Sequence, residues 1–499
     1  MNLTLSHLLT TAIKRHTVRT AVICDNESYS YGQLDELSTK LAAGLSSIGI
    51  KRGSTVALFL PNSVEYVIAD LAVLKVGAIK VPLNKYQSSP DIAFILEETQ
   101  VELLIADGEL LNRLAPQLRV PPTVKNIIWR GAKPTGACDL LHWTDSLLDS
   151  PAQPAEVGPQ DTAMITYTGG TTGKPKGVVQ VQESLAVNLT AHVNAGEIRS
   201  EEVMLLTTPL PHSAGYHMQA CLFQGGTVVL KDEFNVADFF ETIQRVNATW
   251  TFLVPTMIYR LLDAPDLSSR KLSSLATIVY GAAPMSTTRL KSALEAFGPR
   301  LIQLYGQTEC PNYITALTKE DHTNPQVWES CGKAVPYVEI ALQGSTEENY
   351  GEVVVRSPYL LKEYHRNPQA TDAVLRDGWL FTGDIGFMDA NGYLFLKDRA
   401  KDMVISGGMN VYTIEVEQAL KAHACVSDAA VIGLPDNDWG ELVHAFVVRR
   451  SDVTQDVLIE HCKATLSKYK VPKSLQFVDH LPLTNYGKVD KKALRALTN

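Results

Sequence analysis

The segment Thr162–Gly177, TAMITYTGGTTGKPKG, sets glycines, threonine hydroxyls and two lysines directly behind a short apolar run. That composition suits a triphosphate. Glycine lets backbone N–H groups approach phosphate oxygens, hydroxyls donate hydrogen bonds, and Lys174 and Lys176 offset negative charge. The spacing is not that of a Walker A loop, because Pro175 follows Lys174 and the residue five before Gly173 is Thr168 rather than glycine. Taken alone, the same string also describes a surface loop with no ligand.

Such a loop must be held by regular elements, and the chain supplies them. Thr55–Leu60 reads as a buried strand. Asn62 follows as an expected N-cap, and Val64, Val67, Ile68, Leu71 and Leu74 recur at helical spacing until Gly77. Short apolar runs return at Ala78–Pro82, Val101–Ala106, Thr162–Thr168, Val203–Thr208, Thr227–Leu230, Thr251–Val254, Ala276–Tyr280 and Leu301–Tyr305. Strands alternating with helices imply an α/β fold of layered, largely parallel sheets. The polar, proline-rich stretch Ser150–Gln160 reads as a surface connection. Beyond Asp398–Asp402 the pattern changes to a helix at Ile414–His423, a strand at Ala429–Leu434 and a helix at Thr454–Leu466, a small α+β domain of its own.

With 499 residues, at least two domains are expected. The net charge of −9 argues against a nucleic-acid surface, which needs clustered Lys and Arg. Seven cysteines without a CxxC pair speak against a metal cluster or disulfide framework and favour a reducing compartment. No apolar run approaches the roughly 18 residues of a membrane span, so a cytoplasmic protein, monomer or homodimer, is expected.

Tyr167–Gly177 resembles the phosphate-loop signature of the adenylate-forming (AMP-binding, acyl-CoA synthetase) superfamily. Further motifs follow in that family's order: Pro209–Gly215 (PLPHSAG), Gly281–Pro284 (GAAP), Leu304–Glu309 (LYGQTE), Gly378–Gly386 (GWLFTGDIG), Asp398–Glu417 and Asn485–Lys491 (NYGKVDK). Gly169 stands where the family usually has serine, which removes one hydroxyl donor. The resemblance implies a large N-terminal domain over residues 1–398, a hinge at 399–401 and a mobile C-terminal lid over 402–499.

It also implies roles. Thr168, Gly169, Gly170, Thr171, Thr172, Gly173 and Lys176 cradle the phosphates of ATP. Thr308 joins them, and Glu309 binds Mg2+, a cation that takes hard oxygen ligands. Tyr305 and Gly306, with Gly281, Ala282 and Ala283, form the adenine site. Asp384 and Arg399 hold the ribose. Lys488 is the catalytic cation, offsetting repulsion between the attacking carboxylate and the α-phosphate. Lys401 is the hinge residue, and Gly407 and Gly408 line the thiol tunnel after the lid turns.

For the thiol, Trp439, Tyr469, Lys473 and Lys85 resemble the coenzyme A contacts of aryl-CoA ligases of the 4-chlorobenzoate type, whereas Val471 replaces an arginine. The acyl pocket is expected at His212, Ser213, Ala214, Gly215, Tyr216, His217, Cys310 and Asn312. Pro211–Met218 contains no Asp to pair an ammonium, so an α-amino acid is disfavoured. The activity implied is an ATP-dependent ligase joining a medium-sized carboxylic acid, aryl or otherwise, to coenzyme A. Loading of a carrier-protein phosphopantetheine, a non-catalytic nucleotide-binding relative, and a luciferase-like oxygenase are the alternatives.

Overall fold

The computed structural model describes residues 3–25, 27–114, 120–134, 140–149, 155–168, 175–344, 350–399, 402–406, 409–436, 440–484 and 489–498. Two large sheets dominate. One has eight strands, in the order 363–364, 176–181, 162–168, 79–82, 55–59, 103–107, 126–130 and 140–142. The other has nine, in the order 333–334, 310–317, 301–307, 277–280, 250–253, 203–206, 227–230, 20–24 and 27–30. Their interiors are parallel, and antiparallel strands appear at the edges.

Alternation along each strand explains the layering. Val56, Leu58, Leu103 and Ile105 face the same core as Met204, Leu206, Val228 and Leu230, together with helices Leu5–Arg15, Tyr31–Ser47 and Val64–Lys75. Ala57, Phe59, Leu104 and Ala106 face the opposite way, onto helix Ser89–Glu98. Leu205, Val229, Leu253 and Ile278 pack on helices Val236–Val246, Pro255–Leu262 and Thr287–Phe297. Period-two strands buried on both faces read as continuous apolar runs for this reason. Each fully buried Leu, Ile, Val or Phe stabilises this arrangement by roughly 1.5–3 kcal/mol.

The helix after Leu60 forms as expected, but its N-cap is Ser63, whose hydroxyl accepts from the Tyr66 N–H. Asn62 does something else. Its amide donates to the Thr208 and Lys231 carbonyls, and its carbonyl accepts from the Leu210 N–H. A side chain that can both donate and accept is used to tie two loops rather than to start a helix.

Two five-stranded sheets complete the fold. The first joins Glu339–Gln343, Gly351–Arg356, Leu375–Arg376, Trp379–Met388 and Leu394–Arg399, all antiparallel. The second, built from Val404–Ser406, Met409–Val411, Val426–Asp436, Gly440–Arg449 and Ser474–Val478, carries helices Thr413–Lys421 and Gln455–Thr465 and its own apolar core. Among the described residues, no helix is long and apolar enough to cross a membrane.

Candidate active site

Strands Thr162–Thr168 and Lys176–Val181 form an antiparallel pair whose last register partners are Thr168 and Lys176. They bracket the glycine-rich turn. Residues 169–174 of that turn lie outside the described residues, as do Lys401, Gly407, Gly408, Trp439 and Lys488. Next to Lys176 runs the short strand Glu363–Tyr364, and the Lys176 ammonium lies 5.0 Å over the Tyr364 ring. The Tyr364 hydroxyl in turn donates to Glu309 Oε1 at 2.6 Å. Burial, then the Glu309 charge, raises the Tyr364 phenol, so it stays protonated and keeps donating.

Thr308 and Glu309 are the two tip residues between strands Leu301–Gln307 and Cys310–Leu317, where Gln307 opposes Cys310. The tip is tied down from below. The Leu361 N–H donates to the Glu309 carbonyl at 2.7 Å, and the Gln180 amide donates to the Thr308 carbonyl at 3.5 Å. Among the described residues no group of three metal-ligating side chains occurs. A lone, oriented carboxylate fits Mg2+ that arrives on phosphate oxygens and keeps several waters.

The same strand positions the residues expected at the adenosine. Tyr305 donates its hydroxyl to Asp384 Oδ2 at 2.6 Å, and the Gln307 amide donates to that oxygen at 2.7 Å and to the Thr382 carbonyl at 2.9 Å. Asp384 is nearly buried on strand Trp379–Met388, in register with Arg399 across the sheet. Burial and then the Asp384 charge push the Tyr305 phenol up, again fixing it as donor. Gly281 ends strand Thr277–Tyr280, and the exposed Ala282 takes φ +68°, an unfavourable conformation for a residue with a Cβ. Gly306 admits no side chain, because a Cβ there would meet the Asn312 backbone at 2.5 Å.

Asn312 links this face to the residues expected at the acyl group. Its own φ is +62°, which asparagine tolerates better than most residues. Its amide donates to His192 Nε2 at 2.8 Å and to the Ser213 carbonyl at 3.2 Å, while the Ser213 hydroxyl donates to Asn312 Oδ1 at 2.7 Å. His192 Nδ1 donates to the Asn188 carbonyl at 2.8 Å within helix Gln182–Ala195. One neutral tautomer satisfies both bonds, and burial pushes the His192 pKa down to about 4. Tyr216 stacks on His192 and donates to Gln180 Oε1 at 3.0 Å. His212 meets the Asn84 amide at 2.6 Å, Ala214 and Gly215 are buried, and His217 lies deeper on helix Gly215–Gln224.

The profile of the AMP-binding enzyme family matches residues 9–365, and that of the AMP-binding enzyme C-terminal domain matches 415–488. This chain belongs to the AMP-binding enzyme family. It is 33% identical to a medium/long-chain-fatty-acid–CoA ligase, FadD8, of Mycobacterium tuberculosis, over 98% of this chain and 89% of that protein. It is 34% identical to a feruloyl-CoA synthase of Amycolatopsis, over 95% of each chain. Among solved structures it resembles the amide bond synthetase McbA of Marinactinospora thermotolerans, with TM-score 0.89 and 31% identity over 99% of this chain and 100% of that one.

Within this AMP-binding enzyme the sequence-derived residues Thr168, Lys176, Gly281, Ala282, Tyr305, Gly306, Thr308 and Glu309 sit at or near strand ends and tips of the two large sheets, and Asp384 sits mid-strand in the third. The residues expected to contact coenzyme A are less uniform. Lys85 is held by Asp232, at 2.7 Å from Oδ2 and 3.1 Å from its carbonyl, so a phosphate there competes with a carboxylate. Lys473 is exposed and Tyr469 packs beside the small domain's core, whereas Val471 is buried within that core. Gln180, His192, Gln307 and Tyr364 escaped the sequence reading. A buried glutamine in the strand KGVVQV was the one local signal. His192 and Tyr364 are placed by pairings across more than fifty residues.

Proposed function

We propose that this AMP-binding enzyme is an ATP-dependent carboxylic acid:CoA ligase. The observation that carries the reading is the placement of two carboxylates by strand Leu301–Gln307 and its tip. Asp384 is gripped by Tyr305 and Gln307, and Glu309 is oriented by Tyr364 beside Lys176. The expected ribose acceptor, held by this hairpin from the neighbouring sheet, and the expected phosphate-metal ligand at the hairpin's tip are thus oriented together, which is the preorganisation that charge-developing reactions need.

In the first half-reaction the substrate carboxylate oxygen bonds to the α-phosphorus and the bond to pyrophosphate breaks, giving acyl-AMP. Thr168 and Lys176 anchor the phosphates and Lys488 offsets the charge. Mg2+ held by Glu309 would supply further charge neutralisation. In the second, a thiolate bonds to the acyl carbon and AMP leaves. Residues 1–398 form the large domain, 399–401 the hinge and 402–499 the lid, which turns about Lys401 to exchange Lys488 for the Gly407–Gly408 loop. The separate sheet and core after residue 402 support this division. The thiol is coenzyme A, reached through Tyr469, Lys473 and Trp439.

Lys488→Ala tests the assignment. We expect pyrophosphate release to fall by about 10²–10³-fold while supplied acyl-AMP is still converted to thioester. Equal loss of both half-reactions would defeat it.

Three observations favour a second reading, in which an amine replaces the thiol. The chain resembles an amide bond synthetase, Lys85 is held by Asp232, and Val471 is buried. Offering coenzyme A, a phosphopantetheinylated carrier protein and a primary amine to the preformed adenylate separates the acceptors by which one discharges AMP.

A further inference from the structure

Three fully buried polar side chains lie along the stretch that leads away from the glycine-rich turn. Gln180 is on strand Lys176–Val181, and Asn188 and His192 are one turn apart on helix Gln182–Ala195. All three reach the same hairpin tip, 120 to 128 residues further along the chain. The Gln180 amide donates to the Thr308 carbonyl at 3.5 Å, the Asn188 amide donates to the Pro311 carbonyl at 2.9 Å, and His192 Nε2 accepts from the Asn312 amide at 2.8 Å. They are also tied to one another. The Asn188 carbonyl accepts from His192 Nδ1 at 2.8 Å, and Gln180 Oε1 accepts at 3.0 Å from the Tyr216 hydroxyl, whose ring stacks on His192.

The choice of partners gives these bonds a purpose. Two of them end on main-chain carbonyls, so they fix the path of the backbone through residues 308–311 rather than any one side chain. The opposite flank repeats the arrangement. There the Leu361 N–H donates to the Glu309 carbonyl at 2.7 Å and the Lys362 N–H to the Val179 carbonyl at 2.9 Å, so segment 361–364 bridges the same strand to the same tip. The Asn188 amide oxygen is buried without a partner among the described residues. Keeping an amide there costs solvation that the bond to Pro311 offsets, whereas an apolar side chain of similar size would carry no such cost.

We propose that Gln180 and Asn188 are positioning residues for adenylation. They join the strand that carries Lys176 to the tip that carries Thr308 and Glu309, so the groups that meet the triphosphate from its two sides keep one spacing. Fixed spacing of this kind is what lets preformed charges and dipoles act without reorganising. The inference rests on the ligase reading above and assigns the two amides to the triphosphate end of the nucleotide. Asp384, expected at the ribose, is held by a different pair, Tyr305 and Gln307.

The test compares two nucleotides that differ by the phosphates this brace serves. Titration calorimetry measures binding of α,β-methylene-ATP with Mg2+, which cannot be cleaved between its α- and β-phosphates, and of AMP. It is applied to the unaltered protein, Gln180→Met and Asn188→Leu, substitutions that keep side-chain size and remove the amide donor. Because both constants come from one preparation, their ratio is independent of how much of a variant folds, and the two positions lie on different elements. Each substitution should weaken the triphosphate analogue by about tenfold and leave AMP within about twofold. An equal or larger loss for AMP, or no loss for either nucleotide, overturns the proposal and leaves the amides a packing role. Unaltered protein that binds neither nucleotide removes the ligase reading itself, a result distinct from both.

Discussion

On the proposed nucleotide side of the site, the side chains that hold Asp384 and Glu309 come from strands Leu301–Gln307 and Glu363–Tyr364, and they bond across 55 to 79 residues of sequence. On the acyl side, the polar groups come from a helix, a kinked loop and a strand, and they bond mainly one another. Asp384 is bound by Tyr305 and Gln307 from the neighbouring sheet, leaving a carboxylate fixed at the rim. His192, Asn312 and Ser213 instead close a hydrogen-bonded chain that ends inside the protein. The first region serves a ligand part that never changes. The second must suit whichever acid is activated, and it can be rebuilt without disturbing the first.

This contrast can be broken from either side. The largest effect is expected at Asp384→Ala, which removes a charged acceptor held by two donors. It should lower kcat/KM for pyrophosphate release by about 10–100-fold, equally for every acid. A loss that varies from acid to acid would show that the two halves are coupled.

Acid should attack the other half. His192 has a folded pKa of about 4 against an ordinary 6.5, so between those values the unfolded chain binds a proton that the folded one does not. Its contribution is therefore complete above pH 6.5 and is lost as pH falls towards 4. Between pH 7 and pH 5 the cost should be about 2 kcal/mol in urea unfolding, and His192→Gln should flatten the profile by a similar amount. An unaltered slope would mean that His192 is not held neutral by the acyl wall.

The smallest effect lies outside both halves. Tyr337 is exposed and adopts φ +74° in the turn before strand Glu339–Gln343, a region that penalises any Cβ. Tyr337→Gly should stabilise the protein by about 1 kcal/mol, visible as a raised Tm, with the acid preference unchanged. A shifted preference would extend the acyl half to this turn.

How much of this was readable beforehand follows the same division. Thr168 and Lys176 drew notice as glycine, threonine and lysine behind an apolar run, whereas Glu309 and Asp384 were named only through the family resemblance of LYGQTE and GWLFTGDIG. The layered α/β fold was legible because doubly buried strands are continuous apolar runs. His192 was not, since a histidine on a helix gives no hint that residue 312 will reach it. Asn62 misled because its side chain suits a cap as well as a cross-link. Val471 looked like a missing charge, and the fold shows a core position instead. The third sheet was overlooked because strands such as Glu339–Gln343 and Trp379–Met388 are only partly buried and show no continuous apolar run.

The bonds of Asn62 to Thr208 and Leu210, and of Asn84 to His212, anchor the PLPHSAG segment to a part of the chain 128 to 148 residues earlier. On the proposed reading, the shape of the acyl chamber is thus set partly by side chains of the first hundred residues. Drift in the first hundred residues can change what this family member accepts while every residue lining the chamber stays the same, and a search confined to the lining would miss it.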